Sequence, residues 1–420
     1  MTRAAHHELW AGADGGKGVK QIARLGRSFA KRREALARHF RPAPASCLFR
    51  DILVVPPQKS FMISRAVEGG PIWPDFETQT AIRFLRRGLP RDVLPAVPAG
   101  PPEPLNEPAV WGGHVDPHFG HLVSELLTRL PWSVRERPDD LYVFAAGPGI
   151  GAAGMSDVFW EILAWFGLSR AQVRFVDAPL RAAELRVWPQ GEQANWGRPD
   201  ISYLRALEAI AARNGLSPVA SDLLYVSREG LAAEAMGAHA GEGYLVSLLR
   251  GLGVRAIDPG ALPLCEQLAH YAGARDIVFA EGSAMHGRQL LARIGQRITV
   301  LVRRPAERLA EGALGARVRD LHYAEAARHL AVAIRADGAE LTQRALSFYD
   351  PPALFAAFAR HGIDLAPHWD EAAYRAARDA DSAAWAAAIE AEPARYLMDE
   401  TRARLAAAFA AENVMSEAER

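Results

Sequence analysis

Groups able to move protons are concentrated in one short stretch: His114, Asp116, His118, His121 and Glu125. If a helix starts there, His118 and His121 stand at i, i+3. His121 and Glu125 stand at i, i+4, so these neighbours share a helix face. A histidine beside a carboxylate can act as a general base near neutral pH. His121 is the candidate base, with Asp116 or Glu125 as its orienting group or as an alternative base. Two other readings remain open. His121 can simply cap the helix, or the His-X-Asp-X-His spacing can ligate a metal such as zinc, although no third or fourth ligand pattern is evident elsewhere.

A second chemistry, phosphate binding, is suggested further along the chain. Ser227 and Arg228 directly follow the apolar run Leu223 to Val226, and Glu281, Gly282 and Ser283 directly follow Ile277 to Ala280. In open α/β sheets ligands bind beyond the carboxyl ends of strands. Arginine presents a fork of donors matched to phosphate. Glycine allows close backbone approach, serine adds a hydroxyl, and a helix start offers unpaired N–H groups. Glu266 opens a helix after Pro263, where it either caps the first turn or hydrogen-bonds a ribose hydroxyl. The run Gly147-Pro-Gly-Ile-Gly151 reads as a turn, because no Gly-Lys-Ser/Thr follows it.

The elements needed to position these groups alternate strand and helix. Strands are expected at Asp51 to Val55, Ala109 to Gly113, Leu141 to Ala146, Val173 to Val176 and Leu185 to Val187. One helix is expected from His118 to Leu130 and another from Ser156 to Phe166. The pattern restarts after Trp196, with strands at Leu223 to Val226, Val254 to Ile257, Ile277 to Ala280 and Ile298 to Val302. Helices lie between them. Such alternation marks parallel sheets with crossover helices. Four segments result: a basic leader (1–45), an N-terminal α/β domain (46–195), a second α/β domain (196–322) and a helical tail (323–420). Strand signals vanish after Tyr323.

Composition narrows the function classes. The 420 residues are 50% hydrophobic, and 49 basic side chains balance 49 acidic ones. Zero net charge argues against a dedicated nucleic-acid binder. Two cysteines, Cys47 and Cys265, make a disulfide framework unexpected and suit a reducing compartment. No run of about 18 apolar residues predicts a membrane span. Residues 17–41 carry nine Lys or Arg against Glu34 alone, with Ile22, Leu25, Phe29, Leu36 and Phe40 at helical spacing. That pattern suits peripheral contact with an anionic membrane, or a plain solvated helix.

Three segments, taken in order, resemble family 61 glycosyltransferases. The first is His118-Phe-Gly-His121-Leu-Val-Ser-Glu125, continuing through Arg129 to Pro131. The second is Tyr225-Val-Ser-Arg228. The third combines Glu266-Gln267 with Gly282-Ser283-Ala284. The likeness covers roughly residues 110 to 300. Glu281 stands where the family commonly has His, His118 where it has Asn, and Gly241-Glu242 where it has Asn-Glu.

The resemblance implies two facing Rossmann-like domains of the GT-B type. It also implies inverting transfer of a sugar from a nucleotide-sugar donor to an acceptor hydroxyl, in the assembly of capsule or other surface polysaccharide. The acceptor is then a saccharide or glycoconjugate, and the site is cytoplasmic, with possible peripheral contact at the inner face of the membrane. His121, Asp116 and Glu125 become the catalytic set on the N-terminal side. Tyr225, Ser227, Arg228, Glu266, Glu281, Gly282, Ser283, Ala284 and His286 become the donor set. No tightly bound cofactor is implied, and a divalent metal is compatible but not required. Two alternatives stand beside this: a metal-dependent hydrolase built on His114, Asp116, His118 and His121, and a non-catalytic member acting as a binding protein.

Overall fold

Residues 44–58, 66–194, 196–305 and 308–418 are described by the computed structural model. The basic run at 17–41 lies outside them.

The first sheet uses seven strands: β1 (Cys47–Val55), β2 (Gly70–Pro71), β3 (Glu103–Leu105), β4 (Ala109–Val115), β5 (Leu141–Ala146), β6 (Val173–Phe175) and β7 (Leu180–Val187). Their order is β6-β5-β4-β7-β1-β2, with β3 also on β7. Strands β3 to β7 pair in parallel. β1 runs antiparallel to β7 and β2, so this sheet is mixed rather than purely parallel. Strand β5 shows why it is central. Tyr142, Phe144 and Ala146 enter one apolar cluster while Val143 and Ala145 enter another, the period-two pattern of a strand buried on both faces.

Between β4 and β5 the expected helix from His118 to Leu130 is broken up. A short helix α1 (Phe119–His121) widens into a π-turn over Leu122–Leu126, and α2 (Leu130–Glu136) follows. Leu127 N–H donates to Leu122 O across 3.0 Å. Every residue from Leu122 to Leu126 is buried, more than the single stripe of an ordinary amphipathic helix covers. Such π-turns recur at functional sites. Helix α3 (Asp157–Trp165) completes this half.

The second half begins with α4 (Ile201–Arg213). Then come β8 (Ser221–Val226), β9 (Ala238–Ala240), α5 (Glu242–Gly251), β10 (Arg255–Ile257), α6 (Leu264–Gly273), β11 (Ala274–Ala280), β12 (Arg297–Leu301) and β13 (Asp320–Ala324). A wholly parallel sheet results, in the order β10-β8-β11-β12-β13. The two halves are stitched together. One apolar cluster runs from Phe144 and Phe159 through Leu204 to Leu224 and Phe279. Glu161 of α3 accepts from the backbone N–H of Leu264 at 2.6 Å, satisfying the first turn of α6.

Beyond Tyr323 the chain is not all helical. β14 (Ala327–Ala331) and β15 (Leu346–Tyr349) join β9 in a three-stranded sheet of order β9-β15-β14. Phe348 and Tyr349 favour a strand in β15, whereas Ala-Arg-His-Leu-Ala of β14 does not; pairing with β15 and burial of Ala331 beside Leu346, Phe348 and Trp385 make β14 a strand. Helices α7 (Pro351–Ala359), α8 (Glu371–Glu390) and α9 (Met398–Ala418) follow. Among the described residues no helix is long and apolar enough to cross a membrane.

Candidate functional site

Three segments far apart in sequence meet between the two large sheets: the start of α1, the end of β8 and the turn after β11. Gly120 marks the junction. A Cβ placed there would lie 3.2 Å from His118 Cε1, 3.2 Å from His286 Cδ2 and 3.3 Å from Ser283 Oγ. The absence of a side chain at Gly120 favours this close approach of the two halves, since a Cβ there would push its neighbours back by a few tenths of an ångström. The rings of His118 and His121 are 4.8 Å apart.

His121 Nδ1 lies 2.7 Å from Glu125 Oε1. With Nδ1–H donated to that carboxylate, Nε2 carries the lone pair and is the proton-accepting atom. Glu125 is fully buried in the π-turn, and its other oxygen lies 3.2 Å from Arg86 Nε. Asp116 is also buried. Its Oδ1 accepts from the His118 N–H at 2.8 Å, while Oδ2 has no hydrogen-bond partner. Burial pushes its carboxyl up, opposed by His121 and the His118 N–H. Burial and the neighbouring His121 hold His118 below the ordinary histidine value.

On the second half, Arg228 reaches across the turn at Gly282. A Cβ on Gly282 would land inside the Arg228 guanidinium. Two other guanidinium N–H groups converge on Gly237 O, at 2.8 Å and 2.6 Å. Burial lowers the Arg228 guanidinium from its usual value, opposed by Glu242 and Glu281. Gly282→Ala is therefore expected to push the guanidinium aside with the fold retained, since the displaced group is the end of a flexible side chain. Thermal unfolding near that of the parent, together with weaker anion binding, checks this; unchanged anion binding counts against it.

The segment after Gly282 is a 3₁₀ run, Ser283–Leu290, not an α-helix. Close packing of Gly287 on Tyr271 accompanies the tighter winding. The donors available here are thus the turn itself and the Ser283 hydroxyl, rather than an α-helix dipole. Ala284 is half-buried and packs on the main core. His286 Nδ1 hydrogen-bonds Gln289 Oε1. Burial takes its pKa down to about 4, so it is a neutral imidazole.

Four residues of the expected donor set do something else. Tyr225 is core: its hydroxyl donates to Glu242 Oε1 at 2.6 Å. Ser227 is buried and donates to Ile257 O at 3.1 Å. Glu281 is buried and accepts from the backbone N–H groups of Arg303 and Arg304, at 2.8 Å and 3.0 Å, and from the Arg304 guanidinium. Glu266 is exposed in the first turn of α6, on a different cleft lined by Glu161, Trp165 and Asn214. For Tyr225, Ser227 and Glu281 side-chain direction at the packed sheet, which strand position alone does not specify, made the difference; for Glu266 it was the placement of α6 against α3.

Residues missed in the sequence complete the second half of the site. Arg304 follows β12 as Arg228 follows β8; these parallel strands flank β11, which puts both arginines at the carboxyl end of the sheet. The double arginine after an apolar run was the available signal. Glu242 accepts from the Arg228 backbone N–H at 3.0 Å as well as from Tyr225, and burial takes its carboxyl up to about 7. Glu192 anchors the interior behind His286. It accepts from Gln289 Nε2 at 3.4 Å and, through both oxygens, from Arg317 at 2.7 Å and 2.6 Å.

The fourth member of the early cluster, His114, stands apart. Its Nε2 lies 3.1 Å from Gly69 O, and its ring packs edge-on against Trp111. Burial holds it below the ordinary histidine value. Among the described residues, no group of three or more His, Cys, Asp or Glu side chains is placed to hold a metal ion. No family model matches the chain, and no curated protein matches it.

Proposed function

We propose that this chain is a glycosyltransferase of the family 61 kind, with its two α/β halves facing each other in a GT-B-like arrangement. The observation that carries the reading is the meeting at Gly120. A carboxylate-held histidine, His121, comes from one half; a guanidinium packed on a glycine turn, Arg228 on Gly282, comes from the other.

In this mechanism a nucleotide sugar lies with its diphosphate toward Arg228, Arg304 and the Ser283 hydroxyl. His121 Nε2 takes the proton from an acceptor hydroxyl. The acceptor oxygen forms a bond to the anomeric carbon from the opposite face as the bond to the diphosphate oxygen breaks, inverting the centre. Negative charge then grows on the leaving diphosphate. Arginines already oriented, Arg228 by Gly237 O and Arg304 by Glu281, stabilise that charge with little reorganisation. The arrangement draws no step through a metal. The acceptor is a saccharide or glycoconjugate, and the setting is surface-polysaccharide assembly at the cytoplasmic face of a membrane.

The test is titration calorimetry with uridine, guanosine and cytidine diphosphates. The parent protein is expected to bind at least one of them. Arg228→Ala is expected to weaken that binding by roughly 10- to 100-fold, the size of a lost charge-assisted hydrogen-bond pair. Equal affinity in variant and parent removes the diphosphate from this site.

A further inference from the structure

Among the described residues, Trp196 is the one tryptophan left largely open, 56% exposed. It stands on the linker between the two halves, and its position is not arbitrary. The indole packs over Gly88, whose added Cβ would lie 3.0 Å from Trp196 Cζ2. Gly88 is the turn of a hairpin pairing Leu85–Arg86 with Leu89–Pro90, and its φ of 75° suits glycine. The same hairpin is bound to the catalytic pair. Arg86 Nε reaches Glu125 Oε2 at 3.2 Å. Gln190 Oε1 accepts from Leu85 N–H at 2.6 Å while its Nε2 donates to Glu125 O at 2.8 Å. Gln193 Oε1 accepts from Gly88 N–H at 2.8 Å. Trp196 is thus held at a fixed offset from His121, with exposed Leu89 in the same hairpin.

An aromatic face carries partial negative charge and attracts the weakly positive C–H face of a pyranose, while apolar contact excludes water. We infer that Trp196 is a stacking platform for a sugar ring of the acceptor, set beside the His121–Glu125 pair. The inference rests on the proposed transfer reaction. The base must touch the acceptor hydroxyl, so the rim of the base's own half is the acceptor side. The diphosphate-facing arginines belong to the other half, which disfavours a nucleobase as the occupant.

Saturation-transfer NMR with the full chain tests this, using the methyl α- and β-pyranosides of glucose, galactose, mannose and xylose as probes. At least one should bind, with the strongest transfer on a single ring face. Trp196→Ala should weaken it by roughly tenfold, the upper size of an aromatic stacking contribution. Trp196→Tyr should keep it within about threefold. Nucleoside diphosphate affinity should be the same in all three proteins. Absence of pyranoside binding, or equal binding by Trp196→Ala, overturns the platform. Weakened nucleoside diphosphate binding in Trp196→Ala overturns it in favour of a nucleobase. Loss of binding to anionic phospholipid vesicles, with sugar binding intact, overturns it in favour of a membrane contact. Failure of the parent to bind any nucleoside diphosphate instead sinks the transfer reaction itself, a separate outcome.

Discussion

Replacing His121 with alanine is expected to lower turnover by about 10²- to 10⁴-fold, the usual contribution of a general base. Affinity for a nucleoside diphosphate should hardly change. The separation follows from where the groups sit. His121 and its partner Glu125 belong to the first half, joined at 2.7 Å. The groups facing the diphosphate, Arg228 and Arg304, extend from strand ends of the second half and take their orientation from Gly237, Glu281 and Glu242. Removing the imidazole leaves those partners untouched. The measurement is release of nucleoside diphosphate from a panel of nucleotide sugars, beside calorimetric affinity for the free diphosphate. Equal release rates in variant and parent exclude His121 as the base. Loss of diphosphate affinity together with rate would make it a binding residue instead.

Arg317→Met is expected to destabilise the fold by about 3–5 kcal/mol, because it leaves a buried carboxylate without its ionic partner. Arg317 and Glu192 are both buried, and the guanidinium engages both carboxylate oxygens. It also donates to Gln289 O, Leu291 O and Ala313 O, so the change releases several buried acceptors at once. One effect opposes this. Arg288, also buried, is held down to about 9 by burial and by the Arg317 charge, and would gain from its removal. The single like-charge relief is smaller than the loss of a bidentate pair. Glu192→Met combined with Arg317→Met should recover much of the stability, since a well-packed apolar pair avoids the unpaired charge. Urea unfolding of the three proteins decides. A single variant within about 1 kcal/mol of the parent would mean that the pair adds no more than an exposed one. The site also feels this change: Glu192 holds Gln289, and Gln289 holds His286.

Much of the second half was legible because its signals are local. Leu223 to Val226 and Ile277 to Ala280 are apolar runs closed by polar or glycine residues, and they are strands with neighbours in one parallel sheet. Strand β14 was not legible, because Ala-Arg-His-Leu-Ala carries no strand preference and only pairing with β15 makes it one, while β15 is 4 residues long, too short for Phe348 and Tyr349 to mark it. Leu122 to Leu126 has apolar spacing that suits an α-helix, yet the structure holds a π-turn there, with all of its residues buried.

The amino-acid sequence by itself determined which residues end the strands. Arg228 and Gly282 follow from the apolar runs before them, a property of a few adjacent residues, whereas Gly282 is extended and its missing Cβ matters only because Arg228 packs there. Only the tertiary structure decided that His118, His121 and Glu125 meet them, through the close approach that Gly120 allows. It alone decided that Tyr225, Ser227 and Glu281 face inward while Arg304 joins the strand-end cluster. Proximity and burial depend on what distant chain packs against each side chain, and no short window of sequence contains that partner.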